Sequence, residues 1–406
     1  MEIFGYLKNL AEKTIADCTF IKNTAYGDFS QETKLLLPSG DEKYMSFWVR
    51  DCAMMAESGL IPNEDLKRYV DIIAACGQNG AAPLRLENGL TVPPFAVADH
   101  INYNGKPVFF PGTYADGTNQ GDGAYGFYPP FCDNYYFILM AAEYVRQSGD
   151  SAILRQEYQG LSLLDRLEKA FAGYQIDPET ELCRSQNGRY TVDWGFVDCV
   201  RKDGLLLMAS LLRYNAGKAL EGLFAADPQK CAYYRKKSKQ IAQNIRGTFW
   251  DEATGWLYSA TGTCRQHDVW GTAYAVYTGV LETEKTLESM KRAYLDQTAV
   301  AHGYIRHILT NEDASETSAW ENSCTPYNTY QNGAYWATPL GWYIAALYPY
   351  DADIARQLAV DFIEHTERYK AQGAPFEWIN ADTTDFSGKR YGTSGVLPYI
   401  GYQRCV

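Results

Sequence analysis

Apolar residues recur at helical spacing along most of the chain, and this periodicity predicts twelve helices. Several of them begin at residues that favour a helix start, such as Asn63, Ser151, Asp227 and Thr283. The predicted helices fall into consecutive pairs and span residues 2–17, 46–58, 63–77, 131–148, 151–173, 201–223, 227–248, 266–280, 283–295, 333–348, 351–369 and 392–403.

The two members of a pair differ in character. Helices 63–77 and 227–248 carry charged residues along one face, whereas helices 46–58, 131–148 and 333–348 are apolar and aromatic and must be buried. This alternation predicts an all-α fold, an (α/α)6 barrel of six inner and six outer helices. A stack of helical repeats would give the same alternation, but no constant repeat period is visible.

The segments between the helices predict short β-hairpins and long cleft loops. The largest insert, residues 77–131, is rich in Gly, Pro, Asn and Tyr. About 50 residues without a helix inside a compact domain are usually functional, so we expect this insert to form one wall of a cleft. No long Pro, Ser and Gly linker divides the chain, which predicts one catalytic domain over residues 1–406.

Composition excludes several classes of partner. The formal charge of −12 argues against nucleic acid and anionic membrane, and fits a neutral substrate held by carboxylates. Ten cysteines without a C-x-x-C pair predict reduced thiols, and five histidines outside any zinc pattern predict no metal or other cofactor. The sequence begins without a signal-peptide pattern and contains no membrane-length apolar run, so we expect a cytoplasmic protein. The oligomeric state stays open.

Aromatic and amide side chains are concentrated before the predicted helix that ends at residue 348. Flat aromatic faces with short amides among them suit a sugar, which has both CH faces and hydroxyls. The alternative is that these aromatic side chains only fill the core. The predicted sugar contacts are Tyr330, Gln331, Asn332 and Trp336.

Two late motifs carry a family resemblance. The segment YQNGAYW (330–336), followed by FEWINADTTDFSGKRYGTSGVL (376–397), resembles the end of the catalytic domain in six-hairpin glycosidases. The similarity is closest to the processing α-glucosidase/trehalase type. It implies an (α/α)6 barrel that hydrolyses a glycosidic bond with two carboxyl groups.

An early motif fits the same family. The segment FWVRD (47–51) resembles a W-x-R-D element whose Arg and Asp hold hydroxyls of the sugar next to the scissile bond. The resemblance assigns Trp48, Arg50 and Asp51 to substrate binding. The alternative is a local ion pair between Arg50 and Asp51.

The segment YTVDWGFVD (190–198) lies where this family places its general acid. Asp193 is the preferred acid, because its neighbour Trp194 offers an apolar environment that raises a carboxyl pKa; Trp194 itself is predicted to contact substrate. Asp198 is the reserve candidate, since it too could point inward, although it could instead cap the following helix.

The segment PFEWIN (375–380) supplies the predicted general base, Glu377, and a further substrate contact, Trp378. The resemblance assigns the role of Glu377, although here Phe directly precedes Glu, unlike the commoner F-x-E spacing. Glu321 is the reserve base. His267, at the start of another inner helix, is the remaining predicted substrate contact.

We therefore predict an exo-acting, inverting glycoside hydrolase. One rival is an epimerase or lyase on the same barrel, for which His267, His302 and His307 would have to converge. The other is a catalytically silent barrel that binds sugar.

Overall fold

The computed structural model describes residues 2–23, 32–40, 44–102, 104–110, 120, 128–173, 175–185 and 190–406. The described chain is helix-rich and contains twelve α-helices, numbered α1 to α12. They are Ile3–Cys18, Val49–Ala56, Asn63–Ile72, Cys132–Ser148, Leu163–Ala172, Leu207–Leu223, Pro228–Phe249, Val269–Tyr277, Glu284–Leu295, Leu340–Leu347, Ala352–Arg368 and Gly392–Gln403.

Each predicted helix has a counterpart, but three starts were wrong by six residues or more, and one of these is α6, which begins at Leu207 rather than 201. The region 151–173 is a short 3-10 helix, Ser151–Arg155, then a hairpin, and only then α5. The hairpin turns at Gln159 and Gly160, which both have positive φ and cannot continue a helix. Helix α10 starts at Leu340 rather than 333, because Pro339 disfavours helical backbone in the residue before it.

The even-numbered helices contact one another in sequence, from α2 through α4, α6, α8 and α10 to α12, and α12 returns to α2. This closed circuit is almost wholly buried. The odd-numbered helices pack outside it: α1 on α12, α3 on α4, α5 on α4 and α6, α7 on α6, and α9 and α11 on α10. The apolar and charged helix classes in the sequence therefore correspond to an inner and an outer layer.

In the ranges that the structure describes, short antiparallel strands, numbered β1 to β13, make five small sheets. They are Thr19–Asn23, Glu32–Leu36, Phe47–Trp48, Leu84–Arg85, Thr91–Val92, His100–Ile101, Pro107–Val108, Glu157–Tyr158, Leu161–Ser162, Val300–Ala301, Tyr304–Arg306, Tyr335–Trp336 and Trp378–Ile379.

Two of these sheets bring distant predicted site residues together. In the sheet β3-β6-β7, Trp48 pairs with His100. In the sheet β10-β11-β12-β13, Trp336 pairs with Trp378. Strand β3 leads directly into α2, and β12 lies just before α10, so both sheets lie at the N-terminal ends of inner helices.

The insert 77–131 contains β4 to β7 and no α-helix among its described residues before 131. Residues 111–119 and 121–127 lie outside the described chain, so the prediction of a cleft wall is open for them. The described part does reach the predicted site, because Asp99 bonds to Arg50. None of the described helices combines the length and apolarity that crossing a membrane requires.

Candidate active site

Arg50, at the start of α2, lies among three carboxylates. Its Nη1 donates a hydrogen bond to Asp99 and lies 3.6 Å from Asp133 Oδ1, and its Nε lies 3.8 Å from Asp51 Oδ2. All four side chains are buried. Asp51 and Asp133 stand in the first turns of α2 and α4, where the positive ends of the helix dipoles favour carboxylates. The predicted local ion pair between Arg50 and Asp51 is therefore part of a larger buried cluster of one guanidinium and three carboxyl groups.

Asp51 and Trp48 are each held by a second contact. Tyr391 donates a hydrogen bond to Asp51 Oδ1 at 2.8 Å. Burial raises the pKa of Asp51 to about 6, against the opposing effects of Arg50 and Tyr391. The Trp48 ring is partly exposed and stacks on His100 with 4.3 Å between ring centroids. The indole face is thus fixed at a surface that a ligand can reach.

Glu377 is buried and accepts a hydrogen bond from the Tyr44 hydroxyl at 2.8 Å. Its backbone N–H donates to Ser387 Oγ at 3.0 Å, which fixes the segment. Burial and the negative charge of Glu377 raise the pKa of Tyr44, so this hydroxyl stays protonated and remains a donor. The Asn380 side chain, three residues after Glu377, donates to Thr384 Oγ1.

Asp198 is partly exposed and has an altered pKa. Burial raises its pKa to about 6, Arg50 opposes the rise, and Asp99 adds to it. Smaller opposing contributions come from Gln331 and Tyr330. Its Oδ1 accepts no hydrogen bond from any residue in the described ranges. This carboxyl therefore has an oxygen available to hold a proton.

Tyr330 and Gln331 connect Asp198 to the loop before β12. Gln331 Oε1 accepts a hydrogen bond from the Cys199 backbone N–H at 2.9 Å. Tyr330 has a φ of 48°, a left-handed backbone conformation that is uncommon for a bulky residue. Strain of this kind concentrates at functional sites, where the surrounding structure maintains it.

The negative charges of Asp198 and Glu377 raise the pKa of the same two tyrosines. After burial, the charges that raise the pKa of Tyr44 are those of Glu377 and then Asp198. For Tyr330 the charges of Asp198, Tyr44 and Glu377 follow burial in that order. Two carboxyl groups from loops 179 positions apart therefore lie near the same two tyrosines, and we call the region around this pair the tyrosine-lined space.

Asp193 does not share that space. It is 1% exposed, and its Oδ2 lies 3.3 Å from the Lys202 ammonium. Lys202 also lies 3.9 Å from Asp268, which lies 3.1 Å from His307 Nε2. Burial raises the pKa of Asp193 as predicted, with Lys202 opposing the rise, but the carboxyl is bound in a core ion cluster. The reserve candidate Asp198, not Asp193, is brought together with Glu377.

A family model described as amylo-alpha-1,6-glucosidase matches residues 118–373, which is more than half of the chain. The chain belongs to the amylo-α-1,6-glucosidase family. The predicted resemblance to glycosidases is thereby confirmed. The matched range contains Asp198 and ends before Glu377. No curated protein sequence matches the chain.

Solved structures share the fold at low identity. A rhamnosidase from Klebsiella oxytoca with rhamnose bound has a TM-score of 0.58 at 15% identity, covering 100% of this chain and 64% of that one. A rhamnosidase of Bacillus sp. GL1 has a TM-score of 0.56 at 11% identity, covering 98% and 34%. A sugar epimerase from a ruminal bacterium has a TM-score of 0.57 at 13% identity and covers 99% of both chains. This family member thus spans less than two thirds of either rhamnosidase.

Three predicted site residues of this family member lie elsewhere. Glu321 is exposed and accepts a hydrogen bond from the Cys264 backbone. His267 Nδ1 lies 2.5 Å from Glu312, and its ring stacks on Tyr258. Trp194 is fully buried between other indole rings and donates to the Tyr136 hydroxyl, and its contact with substrate stays a prediction.

The remaining predicted contacts build or line the site. Asn332 bonds to the backbone of Ala319 and Trp320 and braces its own loop. Trp336 is fully buried and donates to the Tyr330 carbonyl at 2.9 Å. Trp378, paired with Trp336 across the sheet, is partly exposed.

Sequence analysis missed three residues of this site: Tyr44, Asp99 and His100. Tyr44 lies three residues before FWVRD and carries no motif of its own. Asp99 and His100 lie in the insert 77–131, and only the pairing of β3 with β6 brings them to Arg50 and Trp48. The adjacent acid and histidine after an apolar run, FAVADH, were the available signal.

Proposed function

We propose that this chain is a glycoside hydrolase with Asp198 as general acid and Glu377 as general base. The proposal rests on Tyr44 and Tyr330, because the negative charges of Asp198 and Glu377 both raise the pKa of each of these tyrosines. Glycoside hydrolysis needs two carboxyl groups that share one cleft and differ in protonation. Membership of the amylo-α-1,6-glucosidase family supports the reaction class.

The architecture proposed for it is an (α/α)6 barrel in a single domain over residues 1–406. The closed circuit of even-numbered helices, covered by the odd-numbered ones, supports this architecture. In such a barrel the loops before the inner helices gather at one end. Arg50, Asp133 and Tyr391 stand at the N-terminal ends of α2, α4 and α12, in keeping with that arrangement.

In the proposed mechanism Asp198 protonates the leaving oxygen. A pKa of about 6 leaves a useful fraction of the carboxyl protonated near neutral pH, and its unbonded Oδ1 can face the glycosidic oxygen. As the C–O bond breaks, the proton moves from Asp198 to the departing alcohol. The carboxylate that forms is stabilised by Arg50, whose charge opposes the rise in the pKa.

Glu377 takes a proton from the attacking water. The hydrogen bond from Tyr44 orients the carboxylate that accepts this proton. Attack from the face opposite the leaving group inverts the anomeric centre, and this outcome requires carboxyl groups about 6.5–9.5 Å apart. Inversion and attack at a terminal sugar are parts of the proposal.

The sugar next to the scissile bond is proposed to contact Trp48, Asp51, Tyr330 and Trp378. The exposed indole faces offer stacking surface, and the buried carboxylate accepts hydroxyl hydrogen bonds. Arg50 contributes mainly by fixing Asp51 and Asp99, because the surrounding carboxylates already occupy its guanidinium.

The family name and the fold relatives suggest which substrates to test, so a panel should pair α-1,6-linked glucosides with α-rhamnosides and other aryl glycosides. Release of a terminal monosaccharide from one class would support the proposal. Proton NMR of the first product identifies its anomer and separates inversion from retention. If no substrate of the panel is hydrolysed at micromolar enzyme, the alternative of a catalytically silent barrel that binds sugar would be favoured.

The sugar epimerase among the fold relatives makes epimerisation the second candidate. It would require histidines to converge, and the structure separates the three that were considered. His267 lies by Glu312, His302 stacks near His365, and His307 lies by Asp268. Deuterium incorporation into a free sugar in D2O would reveal epimerase chemistry, and we expect none.

The pH dependence follows from the raised pKa of Asp198. The acid must be protonated, so kcat/KM should fall as pH rises through about 6, about tenfold for each unit above it. Asp51 also has a pKa of about 6. Because it accepts hydrogen bonds from sugar hydroxyls when it is ionised, its protonation should lower kcat/KM on the acidic limb of the pH profile. In Asp198→Asn, assayed on an aryl glycoside that needs no proton, the alkaline limb should disappear. A limb that persists there would assign the acid to another group.

Gly195, in the loop that carries Asp198, is packed against Arg50. A Cβ atom at this position would lie 2.1 Å from Arg50 Nε, so Gly195→Ala must displace either the guanidinium or the loop. A displacement of about 1 Å can cost about 10²-fold in rate, and we expect kcat/KM to fall by that order. Gly247→Ala on outer helix α7 meets nothing within 4 Å and is the matched control. Equal activity of both variants would contradict the tight packing.

A further inference from the structure

A cavity of about 700 Å³ lies at the end of the inner helices opposite the candidate active site. The C-terminal halves of α2, α4, α8 and α12 and the middle of α6 form its wall. The candidate active site lies at the N-terminal ends of the same inner helices. The cavity is therefore a separate space, and its volume is within the range of small-ligand pockets.

The floor of this cavity is aromatic with polar atoms at defined places. Tyr136, Tyr274 and Trp342 lie there, each almost fully buried, and the Tyr274 and Trp342 rings are 4.7 Å apart. Asn215 donates its amide N–H to the Tyr274 hydroxyl at 3.0 Å, which directs the amide group toward the floor. Ring faces beside hydroxyl and amide groups provide stacking area and hydrogen bonds for the same ligand.

The charges at the mouth of the cavity neutralise one another. Glu57 accepts hydrogen bonds from Arg404 and from the Tyr277 hydroxyl. Arg146 bonds to Glu143 through both Nε and Nη2. The third cation of the lining, Lys218, lies 3.4 Å from Glu221 Oε2. Because these ions are paired within the protein, the mouth has little net charge to attract an anion or a cation.

We propose that this cavity binds a neutral saccharide of one or two sugar units. A sugar has CH faces for Tyr274 and Trp342 and hydroxyls for the Asn215 amide and the paired ions at the mouth. A charged ligand would have to displace a protein ion pair, and a purely apolar ligand would displace water from the amide and the ion pairs without replacing the hydrogen bonds of that water.

The floor is connected to the loop of the proposed general acid. The Tyr136 hydroxyl accepts a hydrogen bond from Trp194 Nε1 at 3.1 Å, and Trp194 lies four residues before Asp198. A sugar in contact with Tyr136 would bias the position of this loop and change turnover at the other end of the helices. This consequence rests on the proposed function, whereas binding in the cavity does not.

Hydrogen–deuterium exchange locates the bound sugar without any need for turnover. Glucose, rhamnose, maltose and isomaltose are the probes, each titrated into the full chain to tens of millimolar. We expect saturable protection of peptides covering 53–59, 274–278 and 400–404, which form the wall of the cavity. Protection near 44–51 and 376–391 would report the candidate active site separately.

Ala142→Phe should fill the cavity from α4 and abolish only the first protection pattern. Asn215→Leu, which removes the amide without adding volume, should weaken sugar binding in the cavity at least tenfold. Ala232→Phe on the exposed face of outer helix α7 is the control and should bind like the wild type. The proposal is overturned if no probe protects the cavity peptides, or if protection there survives both cavity variants in folded protein. Failure to hydrolyse any glycoside would overturn the proposed function and leave this result unaffected.

Discussion

Glu377→Gln and Asp198→Asn should each lower turnover of a natural glycoside by several orders of magnitude. Each proton transfer contributes about 10²–10⁴-fold, and neither carboxyl can replace the other because they act on opposite sides of the bond. Both amides are close in size to the groups they replace, so the tyrosine-lined space keeps its shape. Steady-state kinetics on the best substrate of the panel gives the measurement.

Matched carboxylates in this chain provide the controls. Glu321→Gln changes an exposed group bonded to the Cys264 backbone and should keep wild-type rates. The two Asp variants should separate on an aryl glycoside with a good leaving group, where Asp198→Asn regains activity because no proton is needed. If Asp193→Asn showed this recovery and Asp198→Asn did not, the proton donor would be Asp193.

A small anion distinguishes the two roles further. In Glu377→Gln, azide can enter from the side of the missing base and give a glycosyl azide of inverted configuration. Azide should not rescue Asp198→Asn in this way, because that variant retains its base. A glycosyl azide of retained configuration from Asp198→Asn would contradict inversion, because it requires azide to attack a covalent glycosyl intermediate on Glu377.

Local sequence motifs predicted some residues of the candidate site and missed others. Helical periodicity predicts the inner and outer helices because burial repeats with the helix turn. Arg50 and Glu377 stand in short segments with their own residue signature. The choice between Asp193 and Asp198 had no such signature: both precede α6, and apolar neighbours in sequence did not reveal that Lys202 binds Asp193.

Pairing between distant segments decided the remaining positions. Asp99 reaches Arg50, 49 positions away in the sequence, because β6 pairs with β3. Tyr44 reaches Glu377 across 333 positions. His267 lies just before an inner helix, as expected for a cleft residue, but its ring nitrogen Nδ1 lies 2.5 Å from Glu312, a contact that its position in the sequence did not reveal. Contacts of such sequence separation depend on register and loop geometry, which one sequence does not encode locally.

Lys202→Met should be the most destabilising of the substitutions considered. Lys202 is 1% exposed and is the cation between Asp193 and Asp268, with its ammonium 5.1 Å from the centre of the Trp320 ring. Removing one partner of a buried ion pair leaves an uncompensated charge and costs about 3–5 kcal/mol. Urea unfolding at pH 7 should show that loss. Lys239→Met on the exposed face of α7 should stay within about 0.5 kcal/mol of the wild type.

The destabilisation should depend on pH in a defined direction. Burial already raises the pKa of Asp193, and loss of Lys202 removes the charge that opposes this rise. A carboxyl whose pKa is higher in the folded than in the unfolded state lowers the free energy of unfolding at pH values above its unfolded-state pKa, which is near 3.9. At lower pH the carboxyl is protonated in both states and has no such effect. The loss in Lys202→Met should therefore be larger at pH 8 than at pH 5. Adding Asp193→Asn should restore part of it, since no buried carboxylate then remains at that position.

The same pair of variants tests what the ion cluster does for the loop between Asp193 and Lys202, which carries Asp198. Thr191 and Lys202 pair across the base of this loop, and the Lys202–Asp193 contact closes it a second time. If that closure positions Asp198, the double variant Lys202→Met/Asp193→Asn should regain stability without regaining kcat. Its alkaline pH limb should also shift, since the contacts that set the pKa of Asp198 would change. Recovery of both stability and kcat would show that the cluster only fills the core.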